Sequence, residues 1–191
     1  MENLLQFITL TKQFRSVKRR IEFKDGTNEN DAEHSYQLAM TAWYIIEANN
    51  LKLDVGLVMK YALAHDLVEV YAGDTPSEVH KEFEGERNTK HQREEEAAHR
   101  LQKEFVEFAG LHDIIERYEK REDEESKLVY ALDKIMPILN IYLEDGHSWR
   151  KFGVKVDDVI KYKKDKIAES PTIQKYFDML VPLIKNLPDL S

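Results

Sequence analysis

Apolar residues along this chain recur every three to four positions, which is the spacing of one face of an α-helix. Glycine and proline are scarce, at 7 and 5 of 191 residues. No run alternates apolar with polar residues convincingly enough to predict a half-buried strand. We therefore predict an all-α helical bundle, a single domain over residues 1–191 with its motif-bearing core in residues 30–140.

Capping residues divide the first half of this pattern into helices. We predict a first helix over residues 3–20, followed by the polar loop FKDGTNEN. Asn30 is the predicted cap of a second helix, with Glu33 three residues later in the arrangement of a capping box. Asp54 is the predicted cap of a third helix, which runs through ALAHDLVEV to the turn AGDTP.

The second half predicts further helices around a charged stretch. Residues 77–93 are charged and weakly periodic, and we predict a short helix and a mobile surface segment there. The run SKLVYALDKIMPILNIYLED predicts a long apolar helix, and GHSWRKFGV predicts a loop. Ser170, with Pro171 at the first helical position, predicts the start of the last helix.

Polar residues interrupt these apolar helices at a few positions. His34 opens the second helix, His65 and Asp66 are adjacent in the third, and Asp133 lies in the run LVYALDKIMPIL. A buried carboxylate is costly unless a cation or hydrogen-bond donors receive it. Two imidazoles and two carboxylates suit a divalent transition metal such as Mn²⁺, Co²⁺, Fe²⁺, Ni²⁺ or Zn²⁺, with Mg²⁺ as a further option. Cysteine is absent, so thiolate ligands are excluded.

The net charge of the chain limits the classes of partner that it can bind. Lys and Arg number 28 against 36 Asp and Glu, for a net charge of -8, which argues against binding a nucleic-acid polymer or an anionic membrane. No apolar run approaches the ~18 residues that a membrane span needs. The N-terminus MENLLQF lacks the order of a signal peptide, so we expect a cytoplasmic protein.

Three sequence contexts carry a family resemblance: ENDAEHS, ALAHDLVEVYAGDTP and ALDKIMPIL. Together they resemble the HD-domain superfamily of metal-dependent phosphohydrolases, and in particular the branch of the bacterial 5'-deoxynucleotidases, over most of residues 15–140. The resemblance implies an all-α fold, a homodimer, and one divalent metal held by His34, His65, Asp66 and Asp133. It also implies a small-molecule nucleotide substrate, a nucleoside 5'-monophosphate that the enzyme hydrolyses.

The resemblance also assigns roles beside the metal. Glu69 matches the family's catalytic carboxylate, and Asp74 matches the acid that follows the glycine, close to the phosphate ester. We take both as catalytic residues, with either one orienting water or donating a proton. Thr75, next to Asp74, is a candidate substrate-binding residue.

The phosphate-binding arginine is expected in the basic run KQFRSVKRR, which is otherwise the solvated side of a helix. Arg19 is the first choice and Arg15 the second. The tryptophan that follows this arginine in the best-known relatives is absent from the run. Trp149 is a further candidate for substrate binding: it either covers a nucleobase or closes the last helices over the core.

Several alternatives remain open at this point. Four histidines lie between the adjacent pair His65 and Asp66 (the HD pair) and Asp133, where they could hold a second ion. Their charged surroundings predict exposed surface positions instead, for His80, His91, His99 and His112. The substrate could be another nucleotide phosphoester, such as a triphosphate, a cyclic nucleotide or an alarmone. A non-catalytic module that senses metal or nucleotide is the third reading, although such a module needs neither Glu69 nor Asp74.

Overall fold

A computed structural model describes residues 1–75 and 84–188 of the chain. Helices form most of these residues. This confirms the predicted all-α class. The helices are α1 (Glu2–Phe14), α2 (Asp31–Ala48), α3 (Val55–Ala64), α4 (Glu69–Ala72), α5 (Glu84–Glu104), α6 (Ala109–Lys120), α7 (Glu124–Leu143), α8 (His147–Phe152), α9 (Val156–Ile167) and α10 (Pro171–Lys185).

A short hairpin interrupts the helical order between α1 and α2. Strand β1 (Lys18–Glu22) pairs antiparallel with β2 (Asn28–Asn30). The prediction of a helix through residue 20 and the absence of convincing strands were therefore wrong. Arg19 lies on a strand whose partner leads directly into α2, so its position depends on the register of the hairpin.

The turn of this hairpin lies within FKDGTNEN, the stretch predicted to be a polar loop, and local hydrogen bonds stabilise it. Gly26 adopts φ +83, a left-handed conformation that favours glycine. The Asp25 carboxylate accepts hydrogen bonds from the backbone N–H (2.9 Å) and the hydroxyl (2.7 Å) of Thr27. This local chemistry reverses the chain, although β1 is too charged to show the alternation of a typical strand.

The predicted caps of α2 and α3 are confirmed. The Asn30 side chain accepts a bond from the Glu33 N–H at 3.1 Å, and the Glu33 carboxylate accepts one from the Asn30 N–H at 3.3 Å. Asp54 accepts a bond from the first turn of α3. The third helix is shorter than predicted, because α3 ends at Ala64 and α4 starts separately at Glu69.

Helix α7 runs through the core, where it contacts α2, α3, α6, α9 and α10. The segment predicted as a loop after it forms α8 instead, between two glycines with positive φ, Gly146 and Gly153. A helix of six residues between glycines is too short to show helical periodicity. Ser170 caps α10 with Pro171 at its start, as predicted.

One continuous cluster of buried apolar residues joins these helices. Its largest fully buried side chains include Tyr61, Phe105, Phe177, Leu38, Leu101, Leu132 and Met136. Residues 76–83, which include the first seven residues of the segment predicted to be mobile, lie outside the described residues, and α5 begins at Glu84. In the described part of the chain, no helix has both the length and the apolarity to cross a membrane.

Candidate metal centre and active site

The structure brings His34, His65, Asp66 and Asp133 together. One ligand atom from each lies within 4.8 Å of the other three. His34 is fully buried in the first turn of α2, the HD pair follows the end of α3, and Asp133 lies in the middle of α7. The shortest contacts, both 3.0 Å, join His34 Nε2 to Asp133 Oδ1 and His65 Nε2 to Asp66 Oδ2.

The backbone of α3 determines which nitrogen of His65 faces this cluster. His65 Nδ1 lies 3.0 Å from the carbonyl oxygen of Ala62, an acceptor, so Nδ1 carries the proton and donates it. The lone pair of Nε2 therefore points into the cluster. Nε2 is buried, and because it carries no proton it cannot donate to the Asp66 oxygen 3.0 Å away, so the described residues give it no hydrogen bond. A buried, unpaired lone pair of this kind is what a metal ion satisfies.

Both carboxylates of the cluster are held ionised. Burial raises the pKa of Asp66, but the Arg19 guanidinium 2.7 Å from Oδ2 opposes burial, and the pKa lies below its usual range. Burial also raises the pKa of Asp133, and there Lys134 and His34 outweigh it. Two ionised carboxylates and two imidazoles form the donor set of a borderline divalent cation, so these residues fit the predicted metal.

Arg19 lies against this cluster within a group of carboxylates. Its Nη1 contacts Asp66 Oδ2 at 2.7 Å and Asp31 Oδ1 at 3.2 Å, and its Nε lies 3.2 Å from Glu29 Oε2. The side chain is only 12% exposed. Arg15, the second choice from the sequence, is exposed beyond the end of α1 and does not line the cavity described below.

Sequence reasoning missed Glu29 and Asp31. They flank the cap Asn30. In the sequence Glu29 belongs to a polar loop and Asp31 to the first turn of a helix, where charged residues are usually exposed, yet both are almost fully buried. Burial, followed by the charge of Asp66, raises the pKa of Asp31 to about 7. The sequence gives no signal for this burial, because it follows from the docking of the hairpin onto α2.

A polar network extends from Glu29 behind His34. Glu29 Oε2 lies 3.6 Å from His34 Nδ1, on the side of the ring away from Asp133. Glu29 Oε1 accepts a 2.7 Å hydrogen bond from the Asn140 side chain, and Asn140 also exchanges hydrogen bonds of 2.9 and 2.8 Å with Gln37. At 3.6 Å this contact is too long for a hydrogen bond, but the negative charge of a carboxylate on that side of a ligating imidazole raises the basicity of the ring.

The two predicted catalytic acids lie beside the cluster, and both are shifted toward the protonated form. Burial, followed by the charges of Asp66 and Asp74, raises the pKa of Glu69 well above its usual value. Burial raises the pKa of Asp74 as well, but there the charge of Arg19 opposes it most strongly. Lys90 Nζ lies 3.9 Å from Glu69 Oε1.

The turn that carries Asp74 is braced by α5. Gly73 adopts φ +75, and the following Thr75 is buried. Arg93 donates a hydrogen bond to Thr75 Oγ1 at 2.7 Å and another to the Ala72 carbonyl oxygen. Thr75 therefore lies at the cavity wall with its hydroxyl engaged by the protein.

These groups face one cavity of about 590 Å³. Its wall includes His65, Asp66, Glu69, Asp74, Thr75, Asp133 and Arg19, together with Lys90, Lys134, Lys163 and Lys166. Apolar side chains complete it: Pro137, Ile138, Ile141, Trp149 and Val159. Trp149 is 4% exposed and belongs to the hydrophobic core while also lining the cavity, so it does close the core, and its contact with a nucleobase stays a prediction.

The other histidines named in the sequence analysis differ in exposure. His91 and His99 are exposed, as predicted, although His91 lies at the cavity wall. His112 is half-buried, and its Nε2 lies 2.9 Å from the Phe105 carbonyl oxygen, so the prediction of an exposed position was wrong there. His80 lies outside the described residues. Of the histidines in the described ranges, only His34 and His65 belong to a group that could hold a metal.

These features define an all-α domain built around a buried cluster of two histidines and two aspartates. The sequence matches the family model of the HD domain over residues 11–174. This chain belongs to the HD domain family.

Two relatives carry the same name. The 5'-deoxynucleotidase HDDC2 of Danio rerio is 30% identical over 154 residues, which cover 74% of this chain and 70% of that protein. The 5'-deoxynucleotidase HDDC2 of Mus musculus is 30% identical over 142 residues, which cover 71% and 67%.

Solved structures resemble this fold. A predicted metal-dependent phosphohydrolase from Magnetospirillum magnetotacticum MS-1 superposes with a TM-score of 0.81 at 27% identity, covering 100% of this chain and 97% of that one. A Pyrococcus horikoshii protein superposes with a TM-score of 0.65 at 21% identity, covering 95% and 98%. At that identity the second likeness concerns the fold alone.

Proposed function

We propose that this protein is a metal-dependent 5'-nucleotidase that releases phosphate from nucleoside or deoxynucleoside 5'-monophosphates, and that the whole chain forms one HD domain. One observation carries the proposal: the four ligand atoms lie within 4.8 Å of one another, and three of their residues, His65, Asp66 and Asp133, line the same cavity as Arg19, Glu69 and Asp74. The names of the two relatives support the same substrate class.

In this proposal His34, His65, Asp66 and Asp133 hold one divalent cation. Bound there, the cation supplies Lewis acidity, polarising a phosphoryl oxygen and making a water molecule more acidic. Arg19, whose charge is held near the cluster by buried carboxylates, stabilises the negative charge that grows on the phosphoryl oxygens.

Glu69 and Asp74 divide the proton transfers. Water attacks phosphorus, its oxygen remains in the released phosphate, and the bond between phosphorus and the 5' oxygen breaks. Glu69, with the more strongly raised pKa, donates a proton to that leaving oxygen. Asp74, which Arg19 holds closer to the ionised form, accepts the proton of the attacking water. The products are a nucleoside and inorganic phosphate.

The nucleoside lies against the apolar part of the cavity. Pro137, Ile138 and Val159 offer flat or branched apolar surface, and Trp149 offers an aromatic ring. Such a wall binds a base by burying its faces, with little dependence on its hydrogen-bonding edge. The proposal therefore expects activity on several bases.

The test is phosphate release from a panel of nucleotides with protein stripped of metal and reloaded with Mn²⁺, Co²⁺, Mg²⁺ or Zn²⁺. We expect free phosphate from monophosphates with at least one ion and none without. Release of pyrophosphate from triphosphates, or of monophosphates from cyclic nucleotides, with no phosphate from any monophosphate, would favour the alternative phosphoesters. Metal and nucleotide binding without turnover would favour a sensing module.

We further propose a cytoplasmic homodimer. The outer face of α2 presents large side chains at helical spacing, and Tyr36, Met40, Trp43 and Tyr44 are each at least 45% exposed. Contiguous apolar surface of this kind is typical of a protein interface. Light scattering should give twice the mass of 22.5 kDa, and Trp43→Lys should shift it toward the monomer. A monomeric wild-type protein would contradict this proposal.

A further inference from the structure

The α9 wall of the cavity carries two lysines that the proposed reaction does not use. Lys163 and Lys166 both line the cavity and lie three residues apart on α9, so their side chains occupy the same face of the helix. Both are half-buried. Their ammonium groups thus belong to the same cavity as Asp66 and Asp133.

Among the described residues, these two ammonium groups have no anionic partner. In the described ranges of the chain, no carboxylate lies within 4.0 Å of either Nζ, although the neighbouring Lys134 pairs with Asp133. Lys166 Nζ instead lies 3.5 Å from the ring centroid of Tyr162, and Lys163 Nζ lies 5.6 Å from the same centroid. Two like charges one turn apart repel, so a bound anion would be favourable here.

The pKa of Lys163 agrees with this shortage of negative charge. Burial, followed by the charge of Lys134, lowers the pKa of the Lys163 amine to about 7. Lys166 and Arg19 lower the pKa further, and Asp133 is the carboxylate that raises it. The charges of Asp133 and Arg19 thus influence the pKa of Lys163, which means that the ligand cluster and the α9 part of the cavity wall interact electrostatically.

We propose that Lys163 and Lys166 form a second anion subsite, and that the preferred substrate is a phosphomonoester whose organic part carries another phosphate group. A nucleoside 3',5'-bisphosphate has this chemistry: the 5'-phosphate reacts at the aspartate-histidine cluster, the nucleoside lies against the apolar wall, and the 3'-phosphate binds the two lysines. Lysine binds phosphate as a compact positive charge. This inference rests on the proposed function, because it assumes that the first phosphate lies at the cluster.

The first test compares kcat/KM for a nucleoside 5'-monophosphate with kcat/KM for the corresponding 3',5'-bisphosphate. We expect the wild-type protein to prefer the bisphosphate by about tenfold or more, as a charge-assisted contact would give. Lys163→Met, which keeps the apolar stem, should reduce this preference by about tenfold, and Lys163→Arg should retain most of it. Lys161→Met is the matched control, because Lys161 is exposed on the same helix.

A second test does not depend on turnover. Acylation of the metal-loaded protein at pH 7.5, mapped by mass spectrometry, should label Lys163 faster than the exposed Lys164, because a lowered pKa leaves more free amine. The bisphosphate should protect Lys163 and Lys166 more than the monophosphate does.

The outcomes separate the inference from the proposed function. Protection by the bisphosphate without any phosphate release would support the subsite and overturn the hydrolase. Release from monophosphates with equal kcat/KM for both substrates, or with equal labelling of Lys163 in the presence of either, would overturn the subsite and leave the hydrolase standing.

Discussion

The two ends of the cavity handle charge in opposite ways. At the end formed by β1, α2 and α7, carboxylates are buried in excess, and the cations there, such as Arg19 and Lys134, each contact at least one of them. At the α9 end, Lys163 and Lys166 have aromatic surface near them but no carboxylate among the described residues. The first end fits a cation and the second fits an anion, so one cavity suits a metal ion together with a charged substrate.

The largest effect should come from removing a cluster carboxylate. Asp66→Ala should bring metal-dependent phosphate release to the background rate, because it removes one of the four donors and a partner of Arg19. Release is measured with excess metal, and circular dichroism checks the fold. Asp165→Ala, an exposed position on α9, is the control. An undiminished rate in Asp66→Ala would refute the assignment of the cluster.

A smaller loss of activity should follow from replacing Arg19, the positively charged side chain that contacts the cluster. Arg19→Ala should lower kcat/KM by about 10²–10³-fold, as loss of a transition-state donor does. Because this change also leaves buried carboxylates without their partner, Arg19→Lys is needed as the variant that keeps the charge. Arg15→Ala should stay near the wild-type rate, since Arg15 is exposed. A larger loss in Arg15→Ala would reverse the assignment.

The network behind His34 should tune metal affinity. Glu29→Gln retains an acceptor for Asn140 but removes the negative charge 3.6 Å from His34 Nδ1. We expect the affinity for the divalent cation to fall by about 10–100-fold in calorimetric titration, which does not depend on substrate. Glu47→Gln, exposed near the end of α2, serves as the control. Equal affinities in both variants would mean that Glu29 has only a structural role.

The smallest effect concerns stability of the metal-free protein. The folded-state pKa of Asp31, about 7, lies above its unfolded value of about 3.9, so the unfolded state loses this proton first and stability falls as pH rises between the two values. Asp31→Asn cannot ionise. It should therefore be more stable than wild type at pH 8 by about 1–2 kcal/mol, less than the full shift implies because Arg19 loses a contact.

Denaturant unfolding with chelator present, at pH 4 and pH 8, measures this difference. The advantage of Asp31→Asn should be absent at pH 4, where the Asp31 carboxyl is protonated in the folded protein. An advantage that is the same at both pH values would show that the cost of Asp31 is not electrostatic.

The sequence predicted the cluster better than its surroundings, for a physical reason. His34 and Asp133 were visible because polar residues in apolar helices break a periodic pattern, and the structure does bring them together, although their role as ligands stays a prediction. Glu29 and Asp31 were not visible, since their burial depends on tertiary docking of the hairpin.

The errors in secondary structure have similar causes. Strand β1 is short and charged, so its sequence KRRIE shows no alternation and resembles a continuation of α1. Helix α8 is too short for helical periodicity, and its flanking glycines favour a loop. That Lys163 and Lys166 have no carboxylate partner in the described part of the chain could not be predicted from sequence either, because any neighbouring acid is a candidate partner until the contacts are known.

The separation of the cluster residues along the chain also affects folding. His34 and Asp133, in contact at 3.0 Å, are 99 residues apart in sequence. An ion held by both would close a loop of that length and restrict the unfolded chain, as a disulfide does in proteins that have cysteine. In this cysteine-free chain the metal would thus act as a reversible cross-link, so that chelation would lower mechanical and proteolytic resistance along with any activity.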